Sequence, residues 1–256
     1  MTRHPLHLPE RPEKPRTAGL TMMVDGGLPT AYFRDVVSSA PDYLDFMKFG
    51  WGTALVTRQL DEKIACLKEA DVRFYFGGTL FEKYIYEDQF DAFRDLCHQW
   101  GCRYVEVSNG TIELSNPEKA GYIRKLSDEF HVISEVGFKD ANRSESFAPS
   151  RWVECAHEDL EAGAELVTLE ARESGRSGIC RPDGQLRYGL IEDLLDAGID
   201  SDLFLFEAPT SELQTFMIKR LGPNVNLGNI PATALVNLET LRLGLRADTL
   251  CQFDCA

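Results

Sequence analysis

Asp25, Glu106, Glu135, Glu170 and Glu207 each lie at or near the end of a short run of apolar, β-branched or aromatic residues. If those runs lie parallel and side by side, five carboxylates meet at one end. Like charges at short range repel by several kcal/mol in partly desolvated space, so such a cluster needs cations. Lys48, at the end of another run, and Arg172, two residues past Glu170, supply part of that charge. A hard divalent cation could supply the rest, and ligands that are all oxygen favour Mg2+ over zinc. Any single acid could instead be a buried structural partner of Lys48 or Arg172. All five together fit a site better, because functional sites collect perturbed groups.

The glycines beside these charges point the same way. Gly50 and Gly52 flank Trp51, Gly77-Gly78-Thr79 follows another run with Glu82 just beyond, and Gly228 lies in N-L-G-N. Backbone amides at glycines can approach an anion closely, although the same residues would also serve as plain tight turns. Trp51 could wall a pocket or cap the structure. Ser108, Lys139, Asn226 and Asn229 complete the polar residues at the run ends.

The elements that must position these groups can be read from pattern. The runs are Leu20–Asp25, Tyr43–Phe49, Val72–Phe76, Tyr104–Ser108, His131–Glu135, Leu166–Glu170, Leu203–Glu207 and Asn224–Leu227. Between them lie stretches of helical period, such as Gln59–Ala70 with Leu60, Ile64 and Leu67 on one face. Near-continuous apolar strands are buried on both faces, which means a parallel sheet covered by helices. Eight strand–helix units in this length predict a single-domain (β/α)8 barrel, whose chemistry sits at the C-terminal strand ends. An eight-stranded doubly wound sheet is the alternative, but its G-x-G-x-x-G signature does not follow the first strand. Arg172 follows Glu170 by two residues, so alternation predicts that both face the mouth.

The remaining features bound the function. The chain has 256 residues and a formal charge of −14, which argues against a general nucleic-acid or anionic-membrane binder. No apolar run approaches the ~18 residues of a membrane span, and the N-terminus lacks a signal-peptide core, so a cytoplasmic location is expected. Seven scattered cysteines make no disulfide framework, and neither Cys97/Cys102 nor Cys251/Cys255 has good zinc spacing. Residues 1–18, rich in proline and charge, are expected to be a flexible leader, 19–250 the barrel and 251–256 a tail. No composition shift marks an internal boundary.

Several motifs resemble one family. They are G-L-T-M at 19–22 with Asp25, F-M-K-F-G-W-G-T at 46–53, F-G-G-T-L-F-E at 76–82, E-V-S-N-G at 106–110, S-E-V-G at 134–137, L-E-A-R-E-S-G at 169–175, F-E-A-P at 206–209, N-V-N-L-G-N-I at 224–230 and L-E-T-L-R-L-G-L-R at 238–246. Together they resemble the phosphosulfolactate synthases, from about residue 19 to 250. The resemblance implies a Mg2+-dependent (β/α)8 lyase that adds sulfite to phosphoenolpyruvate, on the way to coenzyme M or sulfolactate. It makes Lys48, Lys139, Arg172 and Glu207 candidate catalytic residues and Asp25, Glu106, Glu135 and Glu170 candidate metal ligands. Trp51, Gly77, Gly78, Ser108, Asn226, Gly228 and Asn229 become candidates for substrate contact. The expected partners are small anions, with a homo-oligomer possible.

Two departures stand out. Gly26 and Phe138 occupy places where the family pattern has lysine. Lys139 replaces a lost charge only if its loop turns inward, and Phe138 is expected to make the mouth less polar. A relative with an altered nucleophile or enol substrate is therefore one alternative. Another is a non-catalytic, stress-associated relative like the plant heat-stress proteins of this resemblance; the retained acids, Lys48 and Arg172 count against it.

Overall fold

A computed structural model describes residues 6–253. Eight strands form: β1 Thr21–Asp25, β2 Phe46–Phe49, β3 Arg73–Phe76, β4 Tyr104–Val107, β5 His131–Val136, β6 Ala164–Leu169, β7 Phe204–Glu207 and β8 Leu227–Ile230. All are parallel and pair in the order β3-β2-β1-β8-β7-β6-β5-β4. The two ends of that order, β3 and β4, lie alongside each other without a ladder among the described residues, so the sheet is a nearly closed barrel. Helices cover its outside, as expected for a single-domain (β/α)8 fold. Among the described residues no helix is long and apolar enough to cross a membrane.

Strand alternation sorts side chains into two layers. Met22, Phe46, Tyr75, Ile133, Leu166 and Leu205 fill the barrel interior. Their sequence neighbours face the helices. Phe49, for example, packs against Phe33, Phe74 and Phe76. Burying each such ring contributes roughly 1.5–3 kcal/mol. The same parity sends Lys48, Glu106, Glu135, Thr168 and Glu207 inward, two residues beyond the apolar interior positions of their strands.

Three expectations need correction. Asp25 is off parity, because Met22 and Val24 point inward on β1. Its carboxylate faces the helix Leu60–Glu69, where Lys63 Nζ lies 2.6 Å from Oδ2, and it is buried. The last strand begins at Leu227, three residues later than expected, so Asn226 precedes it at the bottom of the barrel. The Asn226 amide is spent there: Oδ1 accepts from the Leu20 N–H at 2.8 Å and Nδ2 donates to the Asp202 carbonyl at 2.8 Å.

The third correction concerns the leader. Residues 6–18 form no helix or strand but are pinned to the barrel bottom. Arg16 Nε lies 3.0 Å from Asp45, which also accepts from the Thr21 N–H, and both partners are buried. Arg11 pairs with Glu239 at 2.9 Å, and Lys14 donates to the carbonyls of Leu44 and Asp71. Proline and charge removed the periodicity of this segment without making it loose. The rest of the leader and the end of the expected tail lie outside the described residues.

Candidate active site

The inward acids meet at the C-terminal mouth around two lysines. Lys48 Nζ stands 2.9 Å from Glu106 Oε2, 3.1 Å from Glu135 Oε2 and 3.5 Å from Glu207 Oε1. Lys139 turns inward from the loop after β5, 3.1 Å from Glu135 Oε1, 3.6 Å from Glu82 Oε1 and 3.8 Å from Glu170 Oε2. Glu135 thus lies between the two ammonium groups. A cavity of about 280 Å3 opens above them. Its lining includes Lys48, Glu135, Lys139, Glu170, Arg172 and Glu207, together with Trp51, Gly77, Gly78 and Asn229.

Backbone donors fix the carboxylates. The Gly78 N–H donates to Glu106 Oε2 at 2.5 Å. The Ala171 and Arg172 N–H groups donate to Glu207 Oε2 at 2.8 and 3.0 Å, and that of Arg172 also reaches Glu170 Oε1 at 2.6 Å. Gly78 cannot carry a side chain here, since a Cβ would lie 2.5 Å from Ser108 Oγ and 2.8 Å from Ser108 Cβ. Arg172 reaches the mouth by a different route from the one its spacing predicts. β6 ends at Leu169, and Arg172 takes a φ of +60° in the following turn. Its guanidinium is exposed at the rim, donating to the Lys139 carbonyl at 3.3 Å.

Burial decides the protonation pattern. It would lower the Lys48 pKa, but Glu106, Glu135 and Glu207 outweigh it and hold the ammonium charged. Lys139 is held charged by Glu135, Glu170 and Glu82 against the same burial. Burial raises Glu170 well above the carboxylate range, with Glu207 and Glu135 adding repulsion. Glu135 is lowered, because Lys139 and Lys48 overcome its burial. Burial also pushes Glu106 up to about 7, against the pull of Lys48.

These commitments test the expected metal set. Asp25 is excluded: Lys63 takes Oδ2, and Oδ1 accepts from the Gly27 and Leu28 N–H groups. Glu106 Oε2 is held by Lys48 and Gly78, while its buried Oε1 has no hydrogen-bond partner. Among the described residues no three acidic, histidine or cysteine side chains enclose a metal position. The buried Glu170 Oε2 has no hydrogen-bond partner, and Glu170 sits beside Glu135 in the cavity wall. That arrangement fits a cation held by one or two carboxylates that completes its shell with water and substrate oxygens, as Mg2+ does. It does not fit a cage of four carboxylates.

Other candidates divide similarly. Ser108 faces the wall, donating to Glu82 Oε1, and Gly228 lies in the barrel interior against Met22 and Leu205. Phe138 points away from the mouth, packing on Phe147 and under the Arg143 guanidinium, so it does not make the mouth less polar. Glu82 and Lys63 were not among the candidates. Both come from helices; Glu82 stands out in the sequence only as lying just beyond the third run and within F-G-G-T-L-F-E, and nothing at the strand ends points to Lys63. Lys119 is a further buried helix residue, 2.7 Å from Asp159 and donating to the Glu135 carbonyl at 3.0 Å from outside the barrel.

Comparison with known proteins adds a separate line. A family model described as (2R)-phospho-3-sulfolactate synthase (ComA) matches residues 9–248. A phosphosulfolactate synthase of Bacillus subtilis (strain 168) is 50% identical over 244 residues, covering 95% of this chain and 97% of the relative. One from Methanothermobacter thermautotrophicus is 42% identical over 246 residues, covering 94% and 95%. Protein HEAT-STRESS-ASSOCIATED 32 of Arabidopsis thaliana is 25% identical over 261 residues, covering 91% and 88%. Among solved structures, a 3-hexulose-6-phosphate synthase overlays with a TM-score of 0.55 at 14% identity, covering 87% of this chain and 98% of that one. That likeness concerns the fold alone.

Proposed function

The chain belongs to the (2R)-phospho-3-sulfolactate synthase family, and from that premise we propose that it adds sulfite to phosphoenolpyruvate. The observation that carries this reading is a mouth where Lys48, Lys139 and Arg172 line one small cavity among acids. Sulfite sulfur donates its lone pair to the methylene carbon, forming the C–S bond. The double-bond electrons move onto the neighbouring carbon and into the carboxylate. A proton delivered to that carbon completes phosphosulfolactate, and no group leaves.

Each residue has a part in this scheme. Arg172 at the rim grips an anionic head with paired donors. Lys48 and Lys139 place charge where the carboxylate gains it. Lys139 is also the candidate proton donor, since it lines the cavity from the loop after β5 and carries its proton there. Glu135 and Glu170 would hold Mg2+, which supplies Lewis-acid stabilisation of the growing carboxylate charge when bound. The electrostatics support that need, because the acids at the mouth outnumber its lysines.

The test is incubation with phosphoenolpyruvate, sulfite and Mg2+, following product by phosphorus and carbon NMR. Sulfite-dependent formation of phosphosulfolactate is expected. No consumption of phosphoenolpyruvate would count against the reading and favour the alternatives. The intact lysine–carboxylate mouth supports catalysis over a purely stress-associated role, because a charge cluster this deeply buried is costly to keep.

A further inference from the structure

Trp51 stands apart from the other groups at the mouth. Among the described residues it is the only aromatic side chain lining the cavity, and it is 43% exposed. It takes a φ of +51°, a region that bulky residues rarely adopt, so the local fold holds it there at some cost. Two glycines make room for it. A Cβ on Gly26 would lie 3.0 Å from Trp51 Cζ3 and 3.3 Å from Cη2, and one on Gly77 would lie 3.3 Å from the Trp51 backbone nitrogen. No side-chain hydrogen bond to the indole occurs among the described residues.

We infer that the indole of Trp51 is the flat face against which the planar, unsaturated carbon frame of the bound substrate packs, and that Gly26 is the position that lets it lie there. The inference rests on phosphoenolpyruvate as the substrate. Such a molecule has charged ends and a flat, uncharged middle. The ends are served by Lys48, Lys139 and Arg172 on the cavity wall. The middle needs an apolar surface that keeps water off one side. Trp51 offers the broad surface in this cavity, and Val24 is the other apolar side chain of any size beside it. Gly26 and Trp51 are therefore a coupled pair: a Cβ at 26 would press on the edge of the ring and shift it by a few tenths of an ångström.

The chain has three tryptophans, of which Trp152 is fully buried and Trp100 lies at the far end of a helix, so fluorescence can isolate Trp51. Phosphoenolpyruvate should be titrated into wild type, Trp51→Phe, Trp51→Ala and Gly26→Ala, with intrinsic fluorescence and calorimetry read in parallel, followed by steady-state kinetics. The wild type should show a saturable fluorescence change that is lost in Trp51→Phe while calorimetry still detects binding. Trp51→Ala should raise KM by about fivefold to tenfold with kcat little changed, and Trp51→Phe and Gly26→Ala by less, the scale of an aromatic face contact. Trp51→Ala combined with Gly26→Ala should be no worse than Trp51→Ala alone. Binding to wild type without a fluorescence change, or an unaltered KM in Trp51→Ala, would overturn the inference alone. A fluorescence change that follows protein concentration instead of ligand would also overturn it, because the indole would then be a subunit contact beside the exposed Leu55 and Val56. If the wild type binds no phosphoenolpyruvate at all, the inference falls together with the functional reading.

Discussion

Lys48 on β2 and Glu106 on β4 meet at 2.9 Å across the intervening strand β3, deep in the barrel mouth. Lys48 reaches Glu135 and Glu207 from the same point, so one ammonium neutralises acids from three strands. Lys48→Met would leave those carboxylates buried without their shared partner. We expect a loss of about 3–5 kcal/mol in stability, the usual result of breaking a buried pair. Urea unfolding monitored by circular dichroism measures this, and an unchanged midpoint would show that the acids simply take up protons.

Arg172 should behave in the opposite way. Its guanidinium is exposed at the rim, so replacing it leaves the fold intact. Arg172→Lys should cost on the order of 2–3 kcal/mol in transition-state binding, the scale of a charge-assisted hydrogen bond, and Arg172→Ala should cost more. The measurements are kcat/KM and calorimetry with phosphoenolpyruvate. Equal activity in both variants would remove Arg172 from the anion clamp.

Glu106 links stability to pH. Its folded pKa of about 7 lies above the ordinary value of 4.5, so the folded state holds a proton that the unfolded state has already released. That contribution is fully present below the ordinary value, falls as pH rises, and is gone above about 7. Glu106→Gln mimics the protonated form at every pH. The stability of wild type relative to Glu106→Gln should therefore decline between about pH 5 and about pH 8 and then level off. Thermal melts of both proteins across that range would reveal it, and a constant difference would contradict the assignment.

Metal binding offers a fourth check. Glu170 Oε2 is a buried oxygen beside Glu135 that has no hydrogen-bond partner. Glu170→Gln should weaken Mg2+ binding by about tenfold or more, because a bound cation would displace the proton that burial favours on Glu170, and an amide cannot ionise. Calorimetric titration of Mg2+ into both proteins decides the matter. Equal affinities would place the ion elsewhere.

The barrel and the inward acids at the ends of β4, β5, β6 and β7 were legible because each of those apolar runs carries an acid at or near its end, and burial on both faces leaves few other readings. Asp25 misled because it also ends a run, yet Met22 and Val24 take the inward parity of β1. Asn226 misled because N-V-N-L has a strand-like pattern while its amides are consumed by loop carbonyls and the Leu20 N–H. Lys139 and Phe138 are neighbours with opposite orientations, and only the loop conformation determines which one enters the mouth. Lys63 and Glu82 reach the strand ends from the helical layer, where the period marks a buried face but not what a long side chain meets beyond it.

The pinned leader has a consequence for how the chain is made. Arg11 finds Glu239 across 228 positions, and the Gly19 N–H donates to the Asn224 carbonyl on the same floor. A chain made from the N-terminal side exposes Arg11 long before Glu239. Arg11 must therefore wait, unsatisfied, until the last strand and the helix after it have formed, and such a long closure is entropically slow. A chain lacking residues 224–239 would carry a complete run of early strands with no means of fastening the first to the last.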